Sequence, residues 1–347
     1  MARSTPTAAR AVASSISSAE RVLAVAHVNP DGDAIGSLAA MGHIALALGK
    51  ETRLYCESPV PSYLAWLPFP APVVRSLAEL DGWRPDRVIF LDCADEHRAG
   101  EEMAGLVSQH REKAESGGIE VVCIDHHLAN PLFADVNWVD PAMSATGMML
   151  ALLAKALALP LSGGLGEAIY LAIVSDTGSF TYGNTDALAL RLAAEIVGNG
   201  LSLGEFTAKY ENNWTLNRMH LWGALMREVS LLCSGKAVVS IVTDEHLARY
   251  NSERTDLEGY ASWLRRLKDS KVVILARTSS KGSKISLRSM GDIDVQAIAA
   301  RFGGGGHRAA AGIDMDLPPR EAASAILEAV CKALGEEAVC QLAERGS

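Results

Sequence analysis

Acidic residues and histidines follow four apolar runs of this chain, each at the point where the run ends. The runs and the polar clusters that follow them are 22–26 with 27–33, 88–91 with Asp92, 121–124 with Asp125-His126-His127, and 169–174 with Ser175-Asp176. In a parallel sheet, functional groups gather outside the carboxyl ends of the strands, so residues far apart in sequence meet at one edge. The sequence therefore predicts a carboxylate and imidazole site large enough for two divalent metal ions.

Six residues of these clusters are candidate metal ligands, namely four carboxylates and two imidazoles. Without a thiolate, this ligand set favours Mn²⁺, with Mg²⁺, Co²⁺ or Fe²⁺ as alternatives, over a structural Zn²⁺ site. Two such ions roughly 3.5–4 Å apart activate water for in-line attack on phosphorus. Spacing does not decide which histidine of the triplet is a ligand. The candidates are His27, Asp31, Asp33, Asp92, Asp176 and either His126 or His127.

Asp31 and Asp33 flank a single glycine in a turn that Pro30 opens. Two carboxylates separated by one flexible residue can point at neighbouring metal ions. The alternative is an ordinary turn in which an aspartate caps the helix that begins near Ala34. The three other acidic clusters favour metal binding. Asp176 falls within a helix-like pattern, so we expect it at the end of a helix rather than a strand.

Length and alternating patterns indicate two domains in these 347 residues. From residue 22 to about 200, apolar strand-like runs alternate with helix-like segments, which is typical of an α/β fold with a doubly wound, mostly parallel sheet. After Gly235 the pattern changes to that of a smaller mixed α/β domain. The expected organisation is a catalytic metal-binding domain at 1–202, a helical connector at 203–234 and a substrate-binding domain at 235–347.

Composition limits the partners of the protein. The net charge of −9 argues against a broad basic surface for long duplex nucleic acid, but a small anionic substrate stays compatible because bound cations reverse the local field. The six cysteines include no C-x-x-C pair and are expected to be buried free thiols in a reducing compartment. No apolar run reaches membrane-spanning length. We therefore expect a cytoplasmic protein without membrane contact, and a homodimer is left open.

Four consecutive glycines, Gly303 to Gly306, precede His307 and Arg308. Because glycines lack a Cβ, backbone N–H groups of such a loop can approach an anion closely. A flexible surface loop is the alternative. The histidine, the arginine and the small residues at 309–312 favour a phosphate cradle.

The four clusters, the triplet and the glycine loop, in this order along nearly the whole chain, resemble the DHH/DHHA1 phosphoesterases. The chain looks most like their compact branch of oligoribonucleases and 3'-phosphoadenosine 5'-phosphate phosphatases. The resemblance implies that Asp92 bridges two metal ions and that His127 lies beside the scissile phosphate, as a hydrogen-bond donor or acid to the leaving oxygen. It implies one ion on His27, Asp31 and Asp92, and another on Asp33, Asp92, His126 and Asp176.

The resemblance also implies the residues that bind substrate. Relatives carry a phosphate-binding arginine at the position of Arg98, and often have Asn where this chain has Asp95. The alternative for Arg98 is an exposed charge that pairs with Glu96 or Glu101. The remaining implied contacts to phosphate or base are Arg288, in the stretch Ser-Leu-Arg-Ser, and Gly304, Gly305, Gly306 and His307.

The expected activity is a manganese-dependent phosphodiesterase that removes nucleotides from short RNA, with dephosphorylation of 3'-phosphoadenosine 5'-phosphate as a second candidate. Alternatives in the same reaction class are a cyclic or linear dinucleotide phosphodiesterase, a manganese pyrophosphatase and an exonuclease of long single strands. The exonuclease would normally carry a basic groove with interspersed aromatic residues, and the pyrophosphatase a different second domain. A non-catalytic nucleotide- or RNA-binding regulator is the alternative from another class, and the complete ligand set argues against it.

Overall fold

The computed structural model describes residues 7–112 and 118–336 of the chain. Its contacts divide the chain into two compact units, Met1–Asn213 and Trp214–Ser347, here called the N-terminal and the C-terminal unit. The division falls inside the segment that the sequence assigned to a connector. None of the helices in the described part has the length and apolar character that a membrane span requires.

The N-terminal unit, in its described part, is built on a six-stranded, wholly parallel sheet. Its strands are β1 Arg21–Val25, β2 Glu51–Tyr55, β3 Val73–Val74, β4 Arg87–Leu91, β5 Glu120–Asp125 and β6 Val136–Val139. Their spatial order is β3-β2-β1-β4-β5-β6, which reverses between β1 and β4. Ligands of doubly wound sheets bind outside the carboxyl ends of the strands at such a reversal. The predicted α/β class is confirmed.

Both faces of this sheet are covered by apolar layers. In β1, Val22 and Ala24 pack on one face, whereas Leu23 and Val25 pack on the other. A strand that is buried on both faces must be apolar throughout, which explains the apolar runs of the sequence. The helices described in this unit are α1 Thr7–Ser18, α2 Gly32–Ala47, α3 Glu101–Glu112, α4 Thr146–Ala156, α5 Gly163–Asp176, α6 Ala187–Gly198 and α7 Leu203–Tyr210.

Helices α2, α4 and α5 pack closely through glycines. A Cβ added to Gly36 of α2 would lie 2.5 Å from the backbone oxygen of Ala168 in α5. A Cβ on Gly147 of α4 would lie 2.3 Å from the Cβ of Ala172. Since real Cβ atoms do not approach other atoms so closely, glycine is required at both positions. The glycines thus allow three helices to meet beside the carboxyl edge of the sheet.

The C-terminal unit is a mixed sheet in the order β11-β12-β10-β9-β8-β7 within the described residues. Only the β8–β9 pairing is parallel there, and the other pairings are antiparallel. Its strands are β7 Ser230–Leu232, β8 Ala237–Val242, β9 Val272–Ser279, β10 Gly282–Ser289, β11 Gly305–His307 and β12 Ala310–Met315. Its described helices are α8 Leu216–Arg227, α9 Asp244–Arg249, α10 Tyr260–Leu264, α11 Val295–Ala300 and α12 Pro319–Ala333.

Two expectations from the sequence are corrected in this unit. The glycine run is a loop only in part, because Gly305–His307 forms β11 and pairs with β12. The expectation of free thiols is wrong for Cys233 and Cys331, which form a disulfide between the turn after β7 and helix α12. In the N-terminal unit, the thiols of Cys56, Cys93 and Cys123 are free and buried, as expected. Cys340 lies outside the described residues.

The close packing of α2 on α5 at Gly36 leads to a prediction about stability. Gly36→Ala should lower the free energy of unfolding by about 1–3 kcal/mol, because overpacking outweighs the gain of roughly 1 kcal/mol in helix propensity. Gly105→Ala in α3 is the matched control, since a Cβ there meets no atom within 4 Å. Urea unfolding monitored by circular dichroism measures both. Equal stability of the Gly36→Ala variant and the wild type would contradict the close packing of α2 on α5.

Candidate metal centre in the N-terminal unit

The candidate ligands lie where the carboxyl ends of the strands meet the ends of two helices. His27 follows β1, Asp92 directly follows β4, and His126 directly follows β5. Asp33 lies in the first turn of α2, and Asp176 is the last residue of α5, as the helix-like pattern predicted. The arrangement of these strands and helices therefore brings together residues from five separate segments of the chain.

The first group of ligand atoms surrounds His27. Its Nε2 lies 3.6 Å from Oδ2 of Asp92 and 3.9 Å from Oδ1 of Asp31. The opposite ring nitrogen, Nδ1, lies 3.0 Å from the backbone oxygen of Val28, to which it can donate. A backbone acceptor at one ring nitrogen fixes the tautomer in which the other nitrogen carries the lone pair for a metal ion.

The second group surrounds His126 in the same manner. Its Nε2 lies 3.2 Å from Oδ2 of Asp176, 3.4 Å from Oδ1 of Asp92 and 3.7 Å from Oδ2 of Asp33. Its Nδ1 lies 3.1 Å from the backbone oxygen of Met143. Ligand atoms of His27, Asp31 and Asp92, and those of Asp33, His126 and Asp176, each lie within 4.8 Å of one another.

Asp92 lies between the two groups and presents a different oxygen to each. Oδ2 faces His27, and Oδ1 faces His126 and also accepts a hydrogen bond of 3.2 Å from the hydroxyl of Thr146. Its φ of +57° belongs to the left-handed region, which Asp and Asn adopt more readily than most residues. The chain therefore turns sharply after β4 and directs this carboxylate to the middle of the site.

Asp33 is fully buried and held by the first turn of α4. Its Oδ2 accepts the backbone N–H of Thr146 at 2.7 Å, and its Oδ1 accepts that of Gly147 at 3.0 Å. The hydroxyl of Ser37 donates to Oδ1 at 3.1 Å. Helix N-termini favour negative charge. The sequence reasoning missed this contribution of α4, because the two segments are 113 residues apart and only tertiary packing joins them.

Asp31 caps helix α2, and its position is also compatible with metal binding. Its Oδ1 caps α2 by accepting the backbone N–H groups of Asp33 at 3.0 Å and Ala34 at 3.1 Å. The same carboxylate belongs to the ligand group of His27. Helix capping thus orients this carboxylate next to the imidazole instead of replacing the metal-binding arrangement.

The carboxylates of the site compete for positive charge. Burial alone would raise the pKa of Asp92, but hydrogen bonds with His126 and His27 outweigh it and hold that pKa well below its usual value. Burial, followed by the charges of Asp92 and Asp176, raises the pKa of Asp33 well above its usual value. A divalent cation relieves such repulsion between neighbouring carboxylates. The donor set and the charge distribution therefore fit a divalent metal centre.

His127 points to a different partner from His126. Its Nδ1 lies 2.7 Å from Oδ1 of Asp125 and 3.6 Å from Oδ1 of Asp92. Burial alone would lower the pKa of His127, but the hydrogen bond with Asp125 and the charge of Asp92 outweigh it and raise that pKa. The two histidines thus have different hydrogen-bond partners, while ligand atoms of Asp92, His126 and His127 also lie within 4.8 Å of one another.

Arg98 lies in a 3-10 turn, Glu96–Ala99, beside the first group. Its side chain is exposed, its backbone oxygen accepts the N–H of Val28 at 2.7 Å, and its charge acts against protonation of His27. The alternative ion pairs are absent among the described contacts of Arg98: Glu96 pairs with Arg111 at 2.8 Å. This placement is compatible with an anion at the site.

The residues expected to bind substrate in the C-terminal unit lie on β10 and in or directly before β11, and β12 lies between these two strands in the sheet. Arg288 of β10 donates to the hydroxyl of Ser262 at 3.4 Å and to the backbone oxygen of Leu287 at 2.9 Å. A Cβ on Gly304 or Gly306 would lie 2.3 Å or 2.4 Å from backbone oxygens of β12, whereas one on Gly305 would meet no atom within 4 Å. Two of these glycines are therefore required by strand packing. His307 lies in β11, and its side chain falls outside the described part.

Comparison with known proteins reveals relatives over most of the chain. The chain is 31% identical over 318 residues to the bifunctional oligoribonuclease and PAP phosphatase NrnA of Thermus thermophilus, covering 88% of this chain and 87% of the relative. The protein of the same name from Bacillus subtilis is 28% identical over 314 residues, covering 88% and 93%.

A solved structure shares the fold. An exopolyphosphatase-related protein from Bacteroides fragilis has a TM-score of 0.83 at 24% sequence identity and covers 94% of this chain and 95% of its own. Two family models match in order: the N-terminal domain of the DHH family matches residues 21–173, and the DHHA1 domain matches residues 234–336. The resemblance to this family is confirmed, and the chain belongs to the DHH family of phosphoesterases, with a DHHA1 domain after its DHH domain.

Proposed function

We propose that the protein is a divalent-metal-dependent phosphodiesterase that hydrolyses short oligoribonucleotides to mononucleotides and also removes phosphate from 3'-phosphoadenosine 5'-phosphate. The observation that carries the proposal is the pair of ligand groups on either side of Asp92. The substrate class is supported by the relatives, which are named for oligoribonuclease and PAP phosphatase activity and align over nearly the whole chain.

In this proposal the two groups hold two cations. Carboxylate oxygens and imidazole nitrogens without thiolates suit Mn²⁺, which we assign as the preferred ion over Mg²⁺ and Co²⁺. When bound, the ions would supply a nucleophile from water and neutralise charge on the phosphate. The ligands would be His27, Asp31 and Asp92 for one ion, and Asp33, Asp92, His126 and Asp176 for the other.

The remaining polar residues of the two units would handle the substrate. With Nδ1 of His127 directed at Asp125, we assign its Nε2 the contact with the leaving oxygen. Arg98 would bind the phosphate as a charge-assisted donor. In the C-terminal unit, Arg288 and the strand Gly305–His307 with Gly304 would bind a further phosphate or a base.

Asp92→Asn tests the bridging role. The variant should bind less Mn²⁺ and lose at least about 100-fold in turnover of a diribonucleotide, because a neutral amide cannot link two cations. Asn tolerates the left-handed backbone at this position, so the fold should be kept. Metal analysis by mass spectrometry and steady-state kinetics provide the measurements.

Asp95→Asn is the control for that experiment. The carboxylate of Asp95 accepts the backbone N–H of Arg98 at 3.1 Å and lies outside both ligand groups, and Asn can cap the same turn.

Near-normal activity of Asp92→Asn, or one tightly held Zn²⁺ in the wild type, would rule out the two-ion assignment.

Arg288→Ala tests substrate binding by the C-terminal unit. Loss of one charge-assisted contact, about 1.5–3 kcal/mol, should raise KM for a diribonucleotide by about tenfold or more while the metal content is unchanged. His307→Ala should act in the same direction. Arg249→Ala, an exposed arginine of α9, is the matched control. Loss of metal with unchanged KM would place Arg288 in the wrong role.

The preferred RNA length follows from the small number of cationic groups assigned to the substrate. Each phosphate contact adds affinity through counterion release, and a site with few such contacts gains nothing from a longer chain. We expect kcat/KM to be highest for RNAs of about two to five nucleotides and to fall for longer strands. Kinetics on a ladder of RNA lengths measures this. A kcat/KM that rises through long strands, with several cuts per encounter, would support a processive exonuclease instead.

A further inference from the structure

Asn130 lies three residues after the triplet, in the loop that follows β5, and none of the roles assigned above uses it. Its side-chain Nδ2 donates to Oδ2 of Asp125 at 2.8 Å and to the backbone oxygen of Cys93 at 3.1 Å. Its Oδ1 accepts the backbone N–H of Leu132 at 2.8 Å. This amide therefore links the side chain of Asp125 to the backbone at Cys93 and at Leu132.

The orientation of the amide follows from these partners. An NH₂ group can serve both a carboxylate and a carbonyl oxygen, and a carbonyl can serve an N–H. The flipped amide would set its oxygen against the oxygens of Asp125 and Cys93 and its NH₂ against a donor. The network thus assigns Asn130 as a donor to Asp125.

Asp125 is fully buried, and both of its oxygens have partners. Oδ1 lies 2.7 Å from Nδ1 of His127, and Oδ2 accepts from Asn130. A buried carboxylate with only one hydrogen-bond partner would have one oxygen without a donor and could rotate about its side-chain bonds. The NH₂ group of Asn130 supplies the donor for Oδ2 and limits this rotation. It thereby also limits the rotation of the imidazole that is bonded to Oδ1.

We propose that Asn130 is a positioning residue for the hydrolysis, which acts through Asp125 to hold the ring of His127 toward the leaving oxygen. The inference rests on the proposed function. In that reaction the oxygen of water bonds to phosphorus, the bond from phosphorus to the leaving oxygen breaks, and the leaving oxygen takes a proton while water gives one up.

The test compares two substrates and a double-mutant cycle. The substrates are a diribonucleotide and the p-nitrophenyl ester of thymidine 5'-monophosphate, whose nitrophenolate leaves without a proton. Asn130→Ala should lower kcat for the diribonucleotide by about 10–100-fold with little change in KM and in metal content. The loss for the nitrophenyl ester should be much smaller. In a His127→Ala background, Asn130→Ala should cost nothing further.

Asn130→Asp is the second variant, because it keeps the shape and the contact with Leu132. It sets an acceptor against the carboxylate of Asp125 and should lose at least as much kcat as Asn130→Ala. Asn137→Ala is the matched control: its side chain donates to the backbone oxygen of Ala134 at 2.6 Å and accepts from the N–H of Ala134 at 3.2 Å in the same loop. Its kcat should be near that of the wild type.

Several results would overturn the proposal. Equal losses for the two substrates, an undiminished loss in the His127→Ala background, or normal kcat in Asn130→Asp would each show that Asn130 does not act through His127. A loss in Asn137→Ala as large as in Asn130→Ala would assign the effect to the loop. A wild type that cleaves the nitrophenyl ester but no short RNA would instead remove the proposed function, and this inference with it.

Discussion

The carboxylates of Asp33, Asp92 and Asp176 lie around the imidazole of His126 and repel one another. The fold of the N-terminal unit must compensate this repulsion. Such a group is stable only where each charge has a donor or a cation close by. The backbone N–H groups at the start of α4 and the two imidazoles supply part of that compensation. Divalent cations would balance the negative charge that is left. The same arrangement of side chains therefore serves both the stability of the fold and metal binding.

The close packing of helices makes this concentration of charge possible. Glycines in α2 and α4 let these helices approach α5 until no Cβ would fit between them. The first turns of α2 and α4 and the last turn of α5 thereby lie at the carboxyl edge of the sheet, next to the reversal of strand order between β1 and β4. A site of this kind needs rigid elements, since small shifts of a ligand atom weaken metal binding.

A second layer of contacts orients the imidazoles of the site. Backbone oxygens of Val28 and Met143 orient His27 and His126 from behind, whereas Asp125 orients His127. In each case the partner at one ring nitrogen fixes the orientation of the ring. The neighbouring histidines of the triplet thus differ in their hydrogen-bond partners.

The sequence by itself determined the α/β class, the ends of the main strands and the helix that ends at Asp176, because apolar periodicity is a local property of the chain. It also determined the family, because the motifs and their order can be read directly from the sequence. Only the tertiary structure decided which partner each histidine of the triplet has, that β11 forms within the glycine run, and that Cys233 pairs with Cys331. It also brought α4 to Asp33. These features depend on contacts between distant segments, and no local pattern encodes them.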